Sequence, residues 1–473
     1  MSLPIIAIIG RPNTGKSTLF NALSGWRKSI VSNIAGTTRD SVVEKITTPE
    51  GSYLLVDTAG LTNAEGDNLD EMVQRQATTA IENADALIFV VDGKVQPTQD
   101  DYAVADVIRR SGKACLFVAN KIDDGQEDKA MDWVELGYGM PRVISAKNGY
   151  ALDEIQDDIA DLITEAGMAM EIESEREDGQ PLRLCFIGRP NVGKSSLTNH
   201  LMGKDISIVS DISGTTRDTV DSEYTSDNGD NFVLIDTAGL RKKGKIGRSL
   251  EYWSAVRTRV AIERSDVCCL LIDALDGVTH QDMTIMGEVI DAGKGLMIGV
   301  NKFDLVYAQS RMEEDADERD LSEVHMWGDE LHDIQKRYLR YMAAKVSFAP
   351  WAPVSFFSAK TGKGTQKLLE NAVHVQKERE RRISTADLNR FLPEVYYGSV
   401  PPSVGTKQGK LKFMSQVGTC PPQFILHVNN EKAIHYTYRR YVLNKIREKY
   451  GFHGTPIKLT VRDAMDKAPQ NKK

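Results

Sequence analysis

Cysteine is scarce in this chain: five in 473 residues, an odd number without paired spacing. That argues against a disulfide framework or a zinc site and favours a reducing compartment, so a cytoplasmic location is expected. Cys115, Cys185, Cys268 and Cys269 lie in apolar runs and read as small buried hydrophobes. No run approaches the ~18 consecutive apolar residues of a membrane span, so no membrane partner is expected. The start, Met1 to Gly10, is short and lacks the basic stretch of a secretory leader; it reads as a buried strand feeding a loop. The net charge is −8, unevenly spread: 17 Lys+Arg and 6 Asp+Glu from Arg381 to Lys473 make that stretch +11 and leave −19 for the rest. A basic C-terminal module on an acidic body predicts a polyanionic partner for that module.

Repetition is what the chain has in plenty. Gly10-Arg11-Pro12-Asn13-Thr14-Gly15-Lys16-Ser17 returns 178 residues later as Gly188-Arg189-Pro190-Asn191-Val192-Gly193-Lys194-Ser195. Both fit G-x-x-x-x-G-K-[ST], the loop that grips nucleoside triphosphates. Gly36-Thr37-Thr38-Arg39-Asp40 returns as Gly214-Thr215-Thr216-Arg217-Asp218. Asp57-Thr58-Ala59-Gly60-Leu61 returns as Asp236-Thr237-Ala238-Gly239-Leu240, and Asn120-Lys121-Ile122-Asp123 as Asn301-Lys302-Phe303-Asp304. Ser145-Ala146-Lys147 returns as Ser358-Ala359-Lys360, now 213 residues on instead of 181, which places an insertion of about thirty residues between Val306 and Pro353. Within it, Met312 to Glu318 reads as a solvated surface element.

Short apolar runs such as Ala86–Val91, Ala114–Ala119 and Val267–Ile272 alternate with helix-period segments. Such runs indicate mostly parallel sheets covered by helices on both faces, with the motifs at strand ends where these sheets bind ligands. The expected fold class is α/β: two tandem P-loop domains, over 1–167 and 182–380, joined by an acidic linker at 168–181. A third module at 381–463, with element order α-β-β-α-β, is a small α+β domain, and 464–473 is a polar tail.

The chemistry follows from the motifs. Loop glycines let backbone N–H groups close on phosphate oxygens, with Lys16 and Lys194 bridging the β- and γ-phosphates. Ser17 and Ser195 suit Mg²⁺, and so do Asp57 and Asp236, reached through water. Gly60 and Gly239 can offer N–H groups to the γ-phosphate. In each Asn-Lys-x-Asp, the carboxylate of Asp123 or Asp304 can accept from guanine N1–H and the 2-amino group together, a pairing adenine lacks. The stems of Lys121 and Lys302 can cover the base, the Asn residues tie the loop together, and the N–H groups of Ala146 and Ala359 can reach guanine O6. Thr38 and Thr216 are the chosen switch hydroxyls for Mg²⁺ and γ-phosphate, with Thr37 and Thr215 as open alternatives.

Two tandem guanine-reading domains, Gly-Thr-Thr-Arg-Asp switches and a C-terminal α+β module resemble the Der (EngA) family of bacterial ribosome-assembly GTPases, over about 460 residues. The resemblance implies GTP hydrolysis to GDP and phosphate, a K-homology-like third domain, and action on the large ribosomal subunit and its rRNA; a monomer is expected. Many GTPases orient the attacking water with a Gln directly after Asp-x-x-Gly, where this chain has Leu61 and Leu240. Catalysis is therefore sought at Asn13 and Asn191, which in related GTPases help hold K⁺ against the phosphates, with loop stabilisation as the plainer role. Alternatives are a phosphoryl-transferring metabolic enzyme, a nucleotide-gated scaffold with negligible hydrolysis, and a tRNA-modification-type or membrane-associated GTPase.

Two basic features complete the reading. Arg241-Lys242-Lys243-Gly244-Lys245 follows the second Asp-x-x-Gly and is expected to meet RNA or an acidic protein face. Arg439, Arg440, Lys445, Arg447 and Lys449 are candidate phosphate contacts. Gly451-Phe452-His453-Gly454 spells the G-x-x-G clamp of RNA-binding K-homology domains, but it precedes a strand instead of joining two helices. Gly451 is therefore expected to cap a helix, with Gly454 in the turn.

Overall fold

The computed structural model describes residues 3–25, 43–58, 78, 80–170, 179–204, 221–235, 248–309, 333–404 and 407–464. The chain forms two compact units: Met1–Glu177 with Gly244–Val260, and Asp178–Lys243 with Ala261–Lys473.

The first unit is built on β1 (Ile5–Ile9), β2 (Val43–Thr48), β3 (Gly51–Asp57), β4 (Ala86–Asp92), β5 (Cys115–Asn120) and β6 (Arg142–Val143), in spatial order β2-β3-β1-β4-β5-β6. All pairs are parallel except β2 with β3. Successive strand residues serve opposite faces: Leu87, Phe89 and Val91 enter one apolar cluster, Ala86, Ile88 and Val90 the other. Two buried faces explain why these strands read as unbroken apolar runs. The helix Leu152–Glu165 buries Leu152, Ile155, Ile159, Leu162 and Ile163 on a single stripe, as their spacing predicts.

The second unit repeats this plan with β7 (Leu182–Ile187), β8 (Ser222–Thr225), β9 (Asn231–Ile235), β10 (Val267–Asp273), β11 (Gly295–Asn301) and β12 (Val354–Phe356), in order β12-β11-β10-β7-β9-β8. Cys185, Cys268 and Cys269 are buried free thiols, while Cys115 and Cys420 are half-buried. Part of the inserted segment is core: the helix Asp333–Lys345 buries Leu339 and Met342, and Tyr338 packs edge-on against Phe303 and Phe356. Met312 to Glu318 lies outside the described residues.

The same unit carries the third module. The helix Thr385–Gly398 is capped by Ser384, whose Oγ accepts from the Asp387 N–H at 3.1 Å. A short pair, β13 (Ser403–Val404) and β14 (Lys407–Gln408), precedes a sheet of β15 (Leu411–Gly418), β16 (Gln423–Val428) and β17 (Lys458–Asp463). β15 runs antiparallel and β17 parallel to β16, and the helix Tyr436–Tyr450 lies between them in sequence. One sheet face packs Met414, Leu426 and Val461 against Leu388, Phe391, Val442 and Ile446 of the two helices.

Gly451 ends that helix with φ +86°, its N–H donating to Arg447 O at 2.8 Å. The turn that follows docks on the second sheet. Leu296 N–H of β11 donates to Gly454 O at 2.7 Å, and Gly454 N–H donates to Trp351 O at 2.8 Å. Glu378 accepts from the N–H groups of Phe452 and His453. The Gly-Phe-His-Gly segment is thus an intramolecular joint. Arg447 belongs to it as well: its guanidinium lies 4.6 Å from the Trp351 ring centre and donates to Phe452 O and Thr455 O. The expectation that Arg447 contacts phosphate is corrected on this point, because its donors are committed inside the fold.

Candidate nucleotide sites

Each phosphate-gripping loop joins a central strand to a helix: β1 to Lys16–Gly25, and β7 to Lys194–Lys204. The helix N-terminus leaves N–H groups directed at the loop, where an anion is favoured. Asn13 and Asn191 both sit at φ +65°, a left-handed conformation that Asn tolerates better than most side chains. Asn13 and Asn191 are exposed, as are Pro190, Ser17 and Ser195, whereas Thr14 and Val192 are buried; Pro12 is half-buried. Gly10 and Gly188 approach the carbonyl oxygens of Val90 and Leu271 too closely for any side chain.

In each copy the loop is braced by the Asn that opens Asn-Lys-x-Asp. Asn120 Nδ2 donates to Thr14 O at 3.0 Å, and its Oδ1 accepts from Lys121 N–H at 2.8 Å and Ala146 N–H at 3.0 Å. Asn301 does the same with Val192 O at 2.8 Å, Lys302 N–H at 2.8 Å and Ala359 N–H at 2.9 Å. One amide therefore ties three motifs that lie far apart in sequence. The brace also explains a glycine. At Gly15 (φ +89°) a Cβ would stand 2.3 Å from Asn120 Nδ2, and at Gly193 (φ +101°) 2.0 Å from Asn301 Nδ2.

Lys16 is 5% exposed, and its ammonium donates to Gly10 O at 2.9 Å and Arg11 O at 2.8 Å. Lys194 donates to Gly188 O and Arg189 O, both at 2.7 Å. Burial pushes both down to about 8; Asp57 opposes the shift at Lys16 and Asp282 at Lys194. A desolvated ammonium held by neutral carbonyls has a donor to spare and lacks a full counter-charge. That donor set fits the triphosphate of a nucleotide.

Asp57 ends β3 beside Ile8 of β1, and Thr58 Oγ1 donates to Ile8 O at 2.7 Å, fixing the exit of the strand. The Ser145 hydroxyl and Asn148, whose Nδ2 donates at 2.7 Å, hold the Asp123 carboxyl below the usual range. In the second copy Ser358 Oγ instead accepts from Thr361 N–H at 3.4 Å, and Asp304 lies in the first turn of the helix Phe303–Gln309. Ile122 and Phe303 are buried, so their side chains anchor the guanine-reading loops to the core. Lys121 Nζ donates to Asn13 O and pairs with Asp92 at 2.7 Å; Lys302 pairs with Asp273 at 2.5 Å. The Lys121 stem thereby spans from its own loop to the phosphate loop, while Lys302 is held to the end of β10.

Four residues of this frame carry no motif of their own. Arg11 Nε pairs with Asp101 at 3.1 Å, and Arg189 Nε with Asp282 at 3.1 Å. Both carboxylates are fully buried and complete capping boxes with Thr98 and Thr279. Asp101 and Asp282, like Asp92 and Asp273, recur at the 181-residue interval, so extending the repeat alignment would have found them. Thr37, Thr38, Ala59, Gly60, Leu61, Thr215, Thr216, Asp236, Thr237, Ala238, Gly239, Leu240 and the run Arg241 to Lys245 lie outside the described residues.

Two loops of this construction, each tied to an Asn-Lys-x-Asp strand, define a tandem P-loop nucleotide-binding protein. Residues 5–121 and 183–302 match the family model described as 50S ribosome-binding GTPase, and residues 382–462 match the C-terminal KH-domain-like module of EngA bacterial GTPases. The chain is 40% identical over 464 residues to GTPase Der of Clostridium novyi (strain NT), covering 98% of this chain and 99% of that one. It is 40% identical over 468 residues to GTPase Der of Clostridium botulinum (strain Hall), at 99% and 100% coverage. GTPase Der of Clostridium kluyveri is 39% identical over 464 residues, at 98% and 99%. The chain belongs to the Der (EngA) family: it is a guanine-nucleotide GTPase with two G domains and a KH-like module. Among the described residues no helix is long and apolar enough to cross a membrane.

Proposed function

We propose that this GTPase is a cytoplasmic assembly factor for the large ribosomal subunit, and that nucleotide state sets its domain arrangement and hence its affinity for the particle and its rRNA. In this reading residues 1–167 and 182–380 are the two GTPase domains and 381–463 the RNA-facing module, with 168–181 as linker and 464–473 as tail. The observation that carries it is the pairing of two braced guanine sites with a basic C-terminal stretch (+11 over 381–473) whose Gly454 turn is bonded to β11, the strand that ends in Asn301. The family model's own description, 50S ribosome-binding, agrees.

Each residue has a role at the nucleotide. Asp123 and Asp304 accept from the guanine edge, and the Lys121 and Lys302 stems cover the base. Lys16 and Lys194, with the N–H groups of 13–17 and 191–195, hold the phosphates. Ser17 and Asp57, and Ser195 and Asp236, would hold Mg²⁺, joined by Thr38 and Thr216. When bound, the cation neutralises charge on the β- and γ-phosphates. The side chain of Asn13, exposed on its loop, is available to a K⁺ ion beside the phosphates, and Asn191 is its counterpart. Turnover should be markedly faster in KCl than in NaCl at equal ionic strength; equal rates would remove the K⁺ role. Cosedimentation with ribosomal subunits tests the wider reading. Binding to the large subunit with GTP and loss with GDP supports it, and no binding in either state overturns it.

A further inference from the structure

We propose that the open face of the third module's sheet is a stacking platform for single-stranded RNA, centred on Phe413, His427 and Arg462. This rests on the reading that the protein works on ribosomal particles. It assigns the contact to a surface other than the basic helix or the G-x-x-G turn.

The helix is the obvious candidate, and the structure weakens it. Arg439 pairs with Glu431 at 3.2 Å, Lys445 with Glu448 at 2.6 Å and Lys449 with Glu394 at 2.7 Å, while Arg447 is committed to the joint with Trp351. A phosphate approaching these three pairs meets a carboxylate at each cation. The G-x-x-G turn is occupied by β11 and Trp351.

The sheet face is different. Met414, Leu426 and Val461 point into the core, so their alternate neighbours point out. Across the strands those neighbours form two rows. Phe413 is in register with His427, and His427 with Arg462; Ser415 is in register with Ile425, and Ile425 with Thr460. The Phe413 and His427 rings lie 6.0 Å apart, and Phe413 is 42% exposed. Arg462, Lys410 and Lys412 are exposed; Lys410 immediately precedes β15 and Lys412 precedes Phe413 within it. None of the six outward residues is acidic. An apolar ring on a sheet face, an imidazole beside it and a guanidinium at the end of the row suit a base stacked on the ring and a phosphate on the arginine. A protein partner has no equal need for this alignment, because the charged residues in the row and just before it on the chain, Arg462, Lys410 and Lys412, are all positive.

The test uses the full chain and fluorescein-labelled oligouridine, read by anisotropy. Phe413→Ala should weaken binding about tenfold and Phe413→Tyr should restore it, since stacking needs only a ring. Arg462→Ala should lower the salt slope by about 0.7, the signature of one lost phosphate contact on a single strand. Unchanged thermal unfolding would show that the module still folds, as expected for a side chain this exposed. Wild-type affinity in Phe413→Ala, or no oligouridine binding by the parent, overturns the platform. Phe413→Ala losing ribosomal particles while the parent ignores oligouridine would mark a protein-binding surface and also overturn it. Normal oligouridine binding with no cosedimentation in any nucleotide state would leave the platform standing and remove the ribosome reading alone.

Discussion

Nucleotide binding should take up protons above neutral pH, because both loop lysines sit near pH 8 before the phosphates arrive. Lys16 and Lys194 are each lowered to about 8 by burial. A bound triphosphate supplies the missing counter-charge and raises them toward or above the ordinary ~10.4. The pKa is thus lower in the free protein than in the complex. Affinity is flat well below pH 8 and falls as pH rises through 8 toward the bound value. Between pH 7 and 8.5 the neutral fraction in the free protein grows from about 0.1 to about 0.75, so affinity per site falls about fourfold, or ~0.8 kcal/mol. An unshifted lysine would change affinity by about 1% over that range. Calorimetry with GDP at pH 8.5, in two buffers of different ionisation enthalpy, should give an uptake of about 0.75 proton per site. Lys16→Arg, whose guanidinium stays charged, should remove the first site's share. No uptake at pH 8.5 together with unchanged affinity would refute the reasoning, since the buried ammonium groups would then already be fully charged.

Further outcomes follow from the same frame. Gly15→Ala or Gly193→Ala forces a Cβ into the Asn brace at a positive φ, so each should abolish nucleotide binding at its own site and destabilise its own domain by about 1–2 kcal/mol; titration with fluorescent GDP would read one remaining site. Asn148→Ala removes a donor from Asp123 and should weaken the first site about three- to tenfold, while Thr361→Ala should leave the second unchanged. Arg447→Ala strips the joint of a cation–π contact and two partly buried hydrogen bonds. It should destabilise the second unit by about 2–4 kcal/mol in thermal or urea unfolding, without changing the first site's GDP affinity.

The sequence displayed what is local and repeated. Contiguous motifs such as Gly-x-x-x-x-Gly-Lys-Ser, and apolar runs such as Val267–Ile272, announce loops and covered strands because their chemistry needs neighbours in order. The spacing of Leu152, Ile155, Ile159 and Leu162 likewise contains the helix face that the structure buries. What stayed hidden is pairing across long separations. Nothing near Arg11 signals that Asp101 will be its partner, and nothing near Asp123 signals Asn148. Arg447 reads as one more charge on a basic helix until Trp351, nearly a hundred residues away, supplies a ring. The acidic run from Met312 to Glu318 reads as solvated surface, and nothing in it signals that further along the same insertion Leu339 and Met342 bury one side of a helix.

The most direct test of the central claim is which base the two carboxylates select. Asp123→Asn with Asp304→Asn puts an amide where each carboxylate accepts two donors, and it can donate to the carbonyl that xanthine carries in place of guanine's amino group. GTP and GDP affinity should fall at least about 100-fold, the loss of two charge-assisted hydrogen bonds per site, while xanthosine nucleotides gain affinity. Undiminished GTP binding in the double variant would contradict the account.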